Sequence, residues 1–212
     1  MAAISNVLFK HDVLDSNSTV LELGCGISGI IALSLAPRIN SYVLTDQDYV
    51  MKLLHENLRE NQLVVSASSK GRKSTSRTKR GSAPAAAPTQ ETNIITRALD
   101  WETDEVTASL TGSQSCQSFD AVIACDCIYN DALIEPLVQT CVDACRLGST
   151  EAVGNGKPTV CIVAQQLRSA EVFESWLKAF CRSFRVWRVP DEELTDGLKS
   201  DTGFVIHIGI LK

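Results

Sequence analysis

The segment Leu23-Gly24-Cys25-Gly26-Ile27-Ser28-Gly29 constrains this chain more than any other. Its glycines have the spacing G-x-G-x-x-G. They directly follow Thr19-Val20-Leu21-Glu22-Leu23, a mostly apolar run that reads as a buried strand. Ser28 to Ala36 then reads as a short apolar helix stopped by Pro37. A strand, a glycine turn and a helix in that order let the backbone come close to a ligand at the helix start. Asp46 stands at the end of the next strand, Ser41 to Thr45, at about the 20-residue spacing where a carboxylate accepts hydrogen bonds from ribose hydroxyls. The other use of Asp46 is as a cap for the helix that begins at Asp48.

Strands and helices alternate along the rest of the chain. Asp48 to Asn61 predicts a helix with Val50, Leu53, Leu54 and Leu58 on one face. Asn93 to Leu99 is a third strand. Phe119 to Cys125 is a fourth, almost wholly apolar and therefore covered on both faces. Leu133 to Arg146 is helical, with Pro136 tolerated in its first turn. Thr159 to Ala164 is a fifth strand. Ser169 to Cys181 is a helix capped by Ser169 and packed through Phe173, Trp176, Leu177 and Phe180. Phe184 to Val189 and Phe204 to Leu211 close the chain as strands, with too little between them for a crossover helix. The pattern predicts an α/β, Rossmann-like sheet, mostly parallel, with helices on both faces and an antiparallel C-terminal strand pair at its edge.

A chain of 212 residues with 44% hydrophobic content suits one core, so a single domain over 1–212 is expected. Residues 64–90 break the pattern. They hold six of the 20 basic residues and none of the 25 acidic ones, which leaves the remainder at 14 against 25, a balance of −11. Rich in Ser, Ala, Gly, Thr and Pro, this stretch reads as a disordered basic insert, a solvated tether or a patch for nuclear import or polyanions. The acidic remainder suits a basic protein partner and argues against direct nucleic-acid binding. No apolar run reaches the length of a membrane span, and Met1 to Lys10 lacks a signal-peptide pattern, so a cytoplasmic or nuclear monomer is expected. The eight cysteines lie mostly within apolar runs, without zinc-site spacing. They read as reduced, small hydrophobes.

The glycine loop alone does not distinguish NAD from another adenosine cofactor. Glu22 beside it is unhelpful next to a pyrophosphate but suits the cationic S-adenosylmethionine, and no room remains for the second domain usual in dehydrogenases. Both points favour the methyl donor. The run Val20-Leu21-Glu22-Leu23-Gly24-Cys25-Gly26-Ile27-Ser28-Gly29 resembles the first motif of seven-strand, S-adenosylmethionine-dependent methyltransferases. Leu44-Thr45-Asp46-Gln47, Leu99-Asp100-Trp101 and Asp126-Cys127-Ile128-Tyr129-Asn130 resemble the protein-lysine methyltransferases with a D-x-x-Y motif, most of all the fungal ribosomal lysine N-methyltransferase 5 group.

That resemblance implies protein-lysine methylation of a large-subunit ribosomal protein. It implies catalytic roles for Asp126 and Tyr129, facing the target amine, and cofactor contacts from Glu22, Gly24, Gly26, Asp46, Asp100, Trp101 and Cys125. Trp101 would pack on the purine and Asp100 take its exocyclic amine. Structural alternatives stand beside each role: backbone bonding for Glu22, a loop bond for Asp126, core packing for Tyr129, Trp101 and Cys125, and a cap for Asn130. Members of the group carry a longer stretch before the glycine loop, so the chain is expected to be shortened at its N-terminus. Two other functions fit the same motifs: methylation of a small molecule or another side chain, and a catalytically inactive cofactor-binding module.

Overall fold

The computed structural model describes residues 7–70, 93–148 and 157–212, with 62–70 described as helix backbone only. Among the described residues seven strands form one sheet: β1 (Thr19–Leu23), β2 (Ser41–Asp46), β3 (Ile94–Ala98), β4 (Ala121–Cys125), β5 (Val160–Gln166), β6 (Phe184–Arg188) and β7 (Phe204–Leu211). Their order is β3-β2-β1-β4-β5-β7-β6. The first five are parallel to one another, while β7 runs antiparallel to both β5 and β6. The closing strands are thus antiparallel as expected, but only β6 is the edge. β7 is inserted beside β5, where its apolar residues Val205 and Ile206 are buried.

Strand periodicity divides the core. Leu21, Leu23, Val43, Val122, Ala124, Cys161 and Val163 face one side, against α3 (Ile134–Arg146) and α4 (Ala170–Ser183). Val20, Tyr42, Leu44, Ala121, Ile123 and Ile162 face the other, against α1 (Ile30–Leu35) and α2 (Asp48–Lys70). Both sheet faces are therefore covered, which is why β1 and β4 can be apolar at nearly every position.

The helices follow their local signals with some shifts. Ser169 caps α4 by accepting from the Val172 N–H at 3.4 Å. Trp176, Ala179 and Phe180, at spacings of three and four, form its buried face. The Trp176 and Phe180 rings stack at 5.1 Å, and Phe180 stacks on Phe184 of β6 at 4.3 Å. Pro136 sits in the first turn of α3, where no intrahelical N–H is required. Pro37 does not simply stop α1; it begins a 3-10 turn, Ala36–Arg38, that continues it. Among the described side chains of α2 the buried ones are Val50, Met51, Leu54 and Leu58, whereas Leu53 is exposed. The helix also runs to Lys70, past its expected end at Asn61 and over the first residues of the 64–90 insert; residues 71–90 lie outside the described residues.

Cys25, Cys127, Cys141, Cys145 and Cys161 are buried, as expected of small hydrophobes, but Cys181 is exposed. Among the described residues no helix is long and apolar enough to cross a membrane. Replacing the largest buried side chain, Trp176→Ala, is expected to cost about 3–5 kcal/mol in urea unfolding, because the Phe180 and Phe173 rings lose their shared neighbour.

Candidate active site

A cavity of about 390 Å³ opens at the carboxyl ends of the parallel strands. That is where ligands bind in open α/β sheets, since the loops there are free to diverge. Gly24, Gly26, Asp46, Asp100 and Trp101 line it beside Gln47, Tyr49, Val50 and Leu99. Asp126, Cys127, Tyr129 and Leu133 complete the wall. Seven of the nine residues singled out from sequence are therefore brought together, although they come from four different strand ends.

The glycine loop is shaped by what passes over it. Gly24 has φ +63°, and a Cβ there would lie 2.9 Å from both the Trp101 ring and Cys127 Sγ. A side chain cannot fit without displacing the ring that walls the cavity. Gly26 has φ +64° with open space beyond it, so its backbone faces the cavity directly. Its N–H donates to Asp46 Oδ2 at 2.8 Å, while Asp46 Oδ1 accepts from the Gln47 N–H at 2.8 Å. The Asp46 carboxylate thus bonds the loop and the turn into α2, and its remaining lone pairs are available to a ligand. Beside it, Asp100 Oδ1 accepts from the Glu102 N–H at 2.9 Å, fixing the turn that carries Trp101. Trp101 Nε1 is buried with no hydrogen-bond partner. A donor in that state at a cavity wall fits an incoming polar ligand.

Across the cavity, Asp126 has φ +59°, a left-handed conformation that a residue with a Cβ adopts rarely. The end of β5 holds it there. The Asp126 N–H donates to the Ala164 carbonyl at 2.8 Å, and Arg168 reaches the carboxylate with both guanidinium nitrogens, at 3.0 and 2.5 Å. Two residues on, the buried Gln165 amide donates to the Ile128 carbonyl at 2.9 Å and accepts from its N–H at 3.1 Å. Tyr129 projects from this braced segment and is 66% exposed at the cavity mouth. Asn130 accepts from the Ala132 N–H and caps a 3-10 turn, the structural alternative read from its position.

Two of the expected cofactor residues are not in the cavity wall. Glu22 and Cys125 lie on the strand faces that point toward α1 and α2, a consequence of the two-residue period. Glu22 is 3% exposed and its carboxyl accepts from the Tyr42 hydroxyl at 2.7 Å. Burial pushes its pKa up to about 7 against the opposing Tyr42 bond, with a further upward push from Asp46. Burial likewise raises the Cys125 thiol to about 12 and Cys127 well above its usual value, so both stay protonated. Cys127, not Cys125, lines the cavity, because the left-handed turn at Asp126 redirects the chain after β4. Arg168 and Gln165 escaped the sequence reading. Their position at the carboxyl end of a central strand was the available signal.

Over its whole described length the chain has a methyltransferase fold. It superposes on the methyltransferase domain of bacterial CtHen1 with a TM-score of 0.57 at 11% identity, covering 98% of this chain and 95% of that one. The N-methyltransferase NodS from Bradyrhizobium japonicum, solved with S-adenosyl-L-homocysteine, gives 0.55 at 14% identity, covering 99% and 83%. The lysine methyltransferase family pattern matches residues 83–171. Ribosomal lysine N-methyltransferase 5 from Zygosaccharomyces rouxii is 32% identical over 168 residues, covering 76% of this chain and 50% of that protein. Its Saccharomyces cerevisiae counterpart is 33% identical over 143 residues, covering 57% and 38%. The chain is homologous to the ribosomal lysine N-methyltransferase 5 proteins, and part of it matches the lysine methyltransferase family. It spans half the length or less of these curated relatives.

The buried carboxyl makes stability depend on pH. Because the folded pKa of Glu22, about 7, lies above its ordinary 4.5, its contribution is fully present below pH 4.5 and is lost as pH rises to about 7. Glu22→Gln keeps an acceptor for Tyr42 and removes this slope. Urea unfolding at pH 8 is expected to show the variant more stable by on the order of 1–3 kcal/mol. Gln165→Leu strands both backbone groups of Ile128 and is expected to destabilise by about 1–3 kcal/mol in the same assay.

Proposed function

We propose that this chain transfers a methyl group from S-adenosylmethionine to the side-chain amine of a lysine in a protein substrate, with a ribosomal protein as the target. The observation that carries the reading is one cavity with two kinds of wall. Gly24, Gly26, Asp46, Asp100 and Trp101 suit an adenosine cofactor, and Asp126 with Tyr129 suits an amine. The names of the relatives supply the ribosomal target, and the family supplies lysine.

The cradle fits the cofactor by its own chemistry. Asp46 offers lone pairs to ribose hydroxyls, Asp100 offers a carboxylate to the adenine amine, and Trp101 presents both a ring face and a donor without a partner. Gly24 keeps that space clear of a side chain. When bound there, S-adenosylmethionine supplies a methyl group on a sulfonium sulfur, which keeps the electron pair of the broken C–S bond as the acceptor nitrogen forms its N–C bond.

The chain's own task is positioning. A lysine amine has an ordinary pKa near 10.4 and has no lone pair while protonated, so the productive form is the neutral amine. Asp126 accepts an N–H from that amine and aims its lone pair into the cavity. The proton shed by nitrogen leaves to water at the open mouth. Tyr129, exposed at that mouth, forms an aromatic wall along which the aliphatic stem and cationic head of a lysine can pass. Holding the acceptor in line at about 3 Å is where most of the rate enhancement in such a displacement originates.

Incubation of the purified chain with tritiated methyl donor and ribosomal proteins tests the proposal, with methyl-lysine expected on amino-acid analysis. Label on another side chain or a small molecule would replace the acceptor. Bound cofactor with no label on any acceptor would leave a binding module. Asp126→Ala is expected to lose methylation by about a hundredfold while keeping affinity for S-adenosylhomocysteine. Asp46→Ala is expected to lose that affinity in calorimetry.

A further inference from the structure

We propose that Arg168 is a positioning residue for the lysine substrate. It holds the Asp126 carboxylate in place and balances its charge, so that the site accepts a neutral amine rather than trapping an ammonium. The inference rests on the function proposed above and concerns the same cavity.

The geometry is specific. Arg168 stands two residues beyond β5 and reaches Asp126 with a bidentate fork. Its Nη2 also donates to the Gln166 side chain at 3.0 Å, and the Gln166 N–H points at Asp126 Oδ1 at 3.4 Å. The guanidinium is therefore fixed at two points, and it fixes the carboxylate with a planar match that a lysine in its place cannot reproduce. Asp126 is the one cavity residue with a side chain and a left-handed backbone among those described, so its direction depends on such outside support.

The charge follows from the same contact. A lone carboxylate at the amine position stabilises the ammonium form, which binds well and cannot react. Uniformly tighter ground-state binding lowers KM without helping the chemical step, and here it would oppose that step. Paired with Arg168, the carboxylate keeps lone pairs for an incoming N–H but presents little net charge to the amine. The pair is partly exposed, with side chains 52% and 41% accessible, so an arriving lysine can reach Asp126 without dismantling buried structure. The exposure also means that the pair contributes little to global stability.

Steady-state kinetics of the full chain on its labelled protein substrate decide the matter, comparing Arg168→Gln and Arg168→Lys with the parent. For Arg168→Gln, kcat is expected to fall by about tenfold or more through lost aim. KM for the protein substrate is expected to fall by about threefold, because the unpaired carboxylate now holds the ammonium. Affinity for S-adenosylhomocysteine and the urea midpoint are expected to stay unchanged. Arg168→Lys should restore KM, because it restores the charge, and recover kcat only in part. A merely structural role would instead weaken cofactor affinity and raise KM together, which would overturn the proposal, as would unchanged kinetics. If the parent chain binds the cofactor but labels no lysine, the proposed function fails first and this role falls with it.

Discussion

Parallel strands that end at one edge leave backbone donors and acceptors facing the same opening, and those groups must find partners before a ligand can be held there. Two aspartates meet that constraint here. Asp46 accepts from Gly26 beyond β1 and from Gln47 beyond its own strand, and its carbonyl accepts from Leu99 beyond β3. Asp126 donates its N–H to Ala164 on β5, and its carboxylate accepts from Arg168. The first brace shapes the half of the cavity suited to an adenosine cofactor. The second shapes the half suited to an amine.

The braces differ in a way that suits the roles proposed for them. The Asp46 oxygens bond backbone N–H groups on adjoining loops, so the arrangement is short-range and stiff. The Asp126 carboxylate is held by a long side chain from another loop, partly in solvent. Stiffness in the half proposed for a cofactor and openness in the half proposed for an amine are compatible because separate strand pairs support each half. The buried Glu22–Tyr42 bond lies on the opposite side of β1 from Leu21 and Leu23, with Cys25 near enough to feel the charge of Glu22. Its place is under the glycine loop, where it ties β1 to β2 without reaching the cavity wall.

Much of this was legible in the residues. The strand–turn–helix order around Gly24, Gly26 and Gly29, and Asp46 at the end of the second strand, depend on local geometry: apolar period, glycine at positive φ, a carboxylate after a strand. So did the antiparallel close of the chain, since too few residues separate β6 from β7 for a crossover. Glu22 and Cys125 stand outside the cavity wall for an equally simple reason. Both stand next to loop motifs, but the strand period turns their side chains toward α1 and α2, and membership of a motif does not say which way a strand residue faces.

The sequence by itself determined the succession of elements, the loop and the identity of the chemical groups at the strand ends, because each is set by neighbours a few residues apart. Only the tertiary structure decided which distant groups meet. Arg168 is 42 positions from Asp126, and Gln165 is 37 from Ile128, yet pairing of β4 with β5 makes them neighbours. Strand order also placed β7 inside the sheet and left β6 at its edge. Such contacts arise from how whole strands align to bury two apolar faces at once, a global condition that no local spacing encodes.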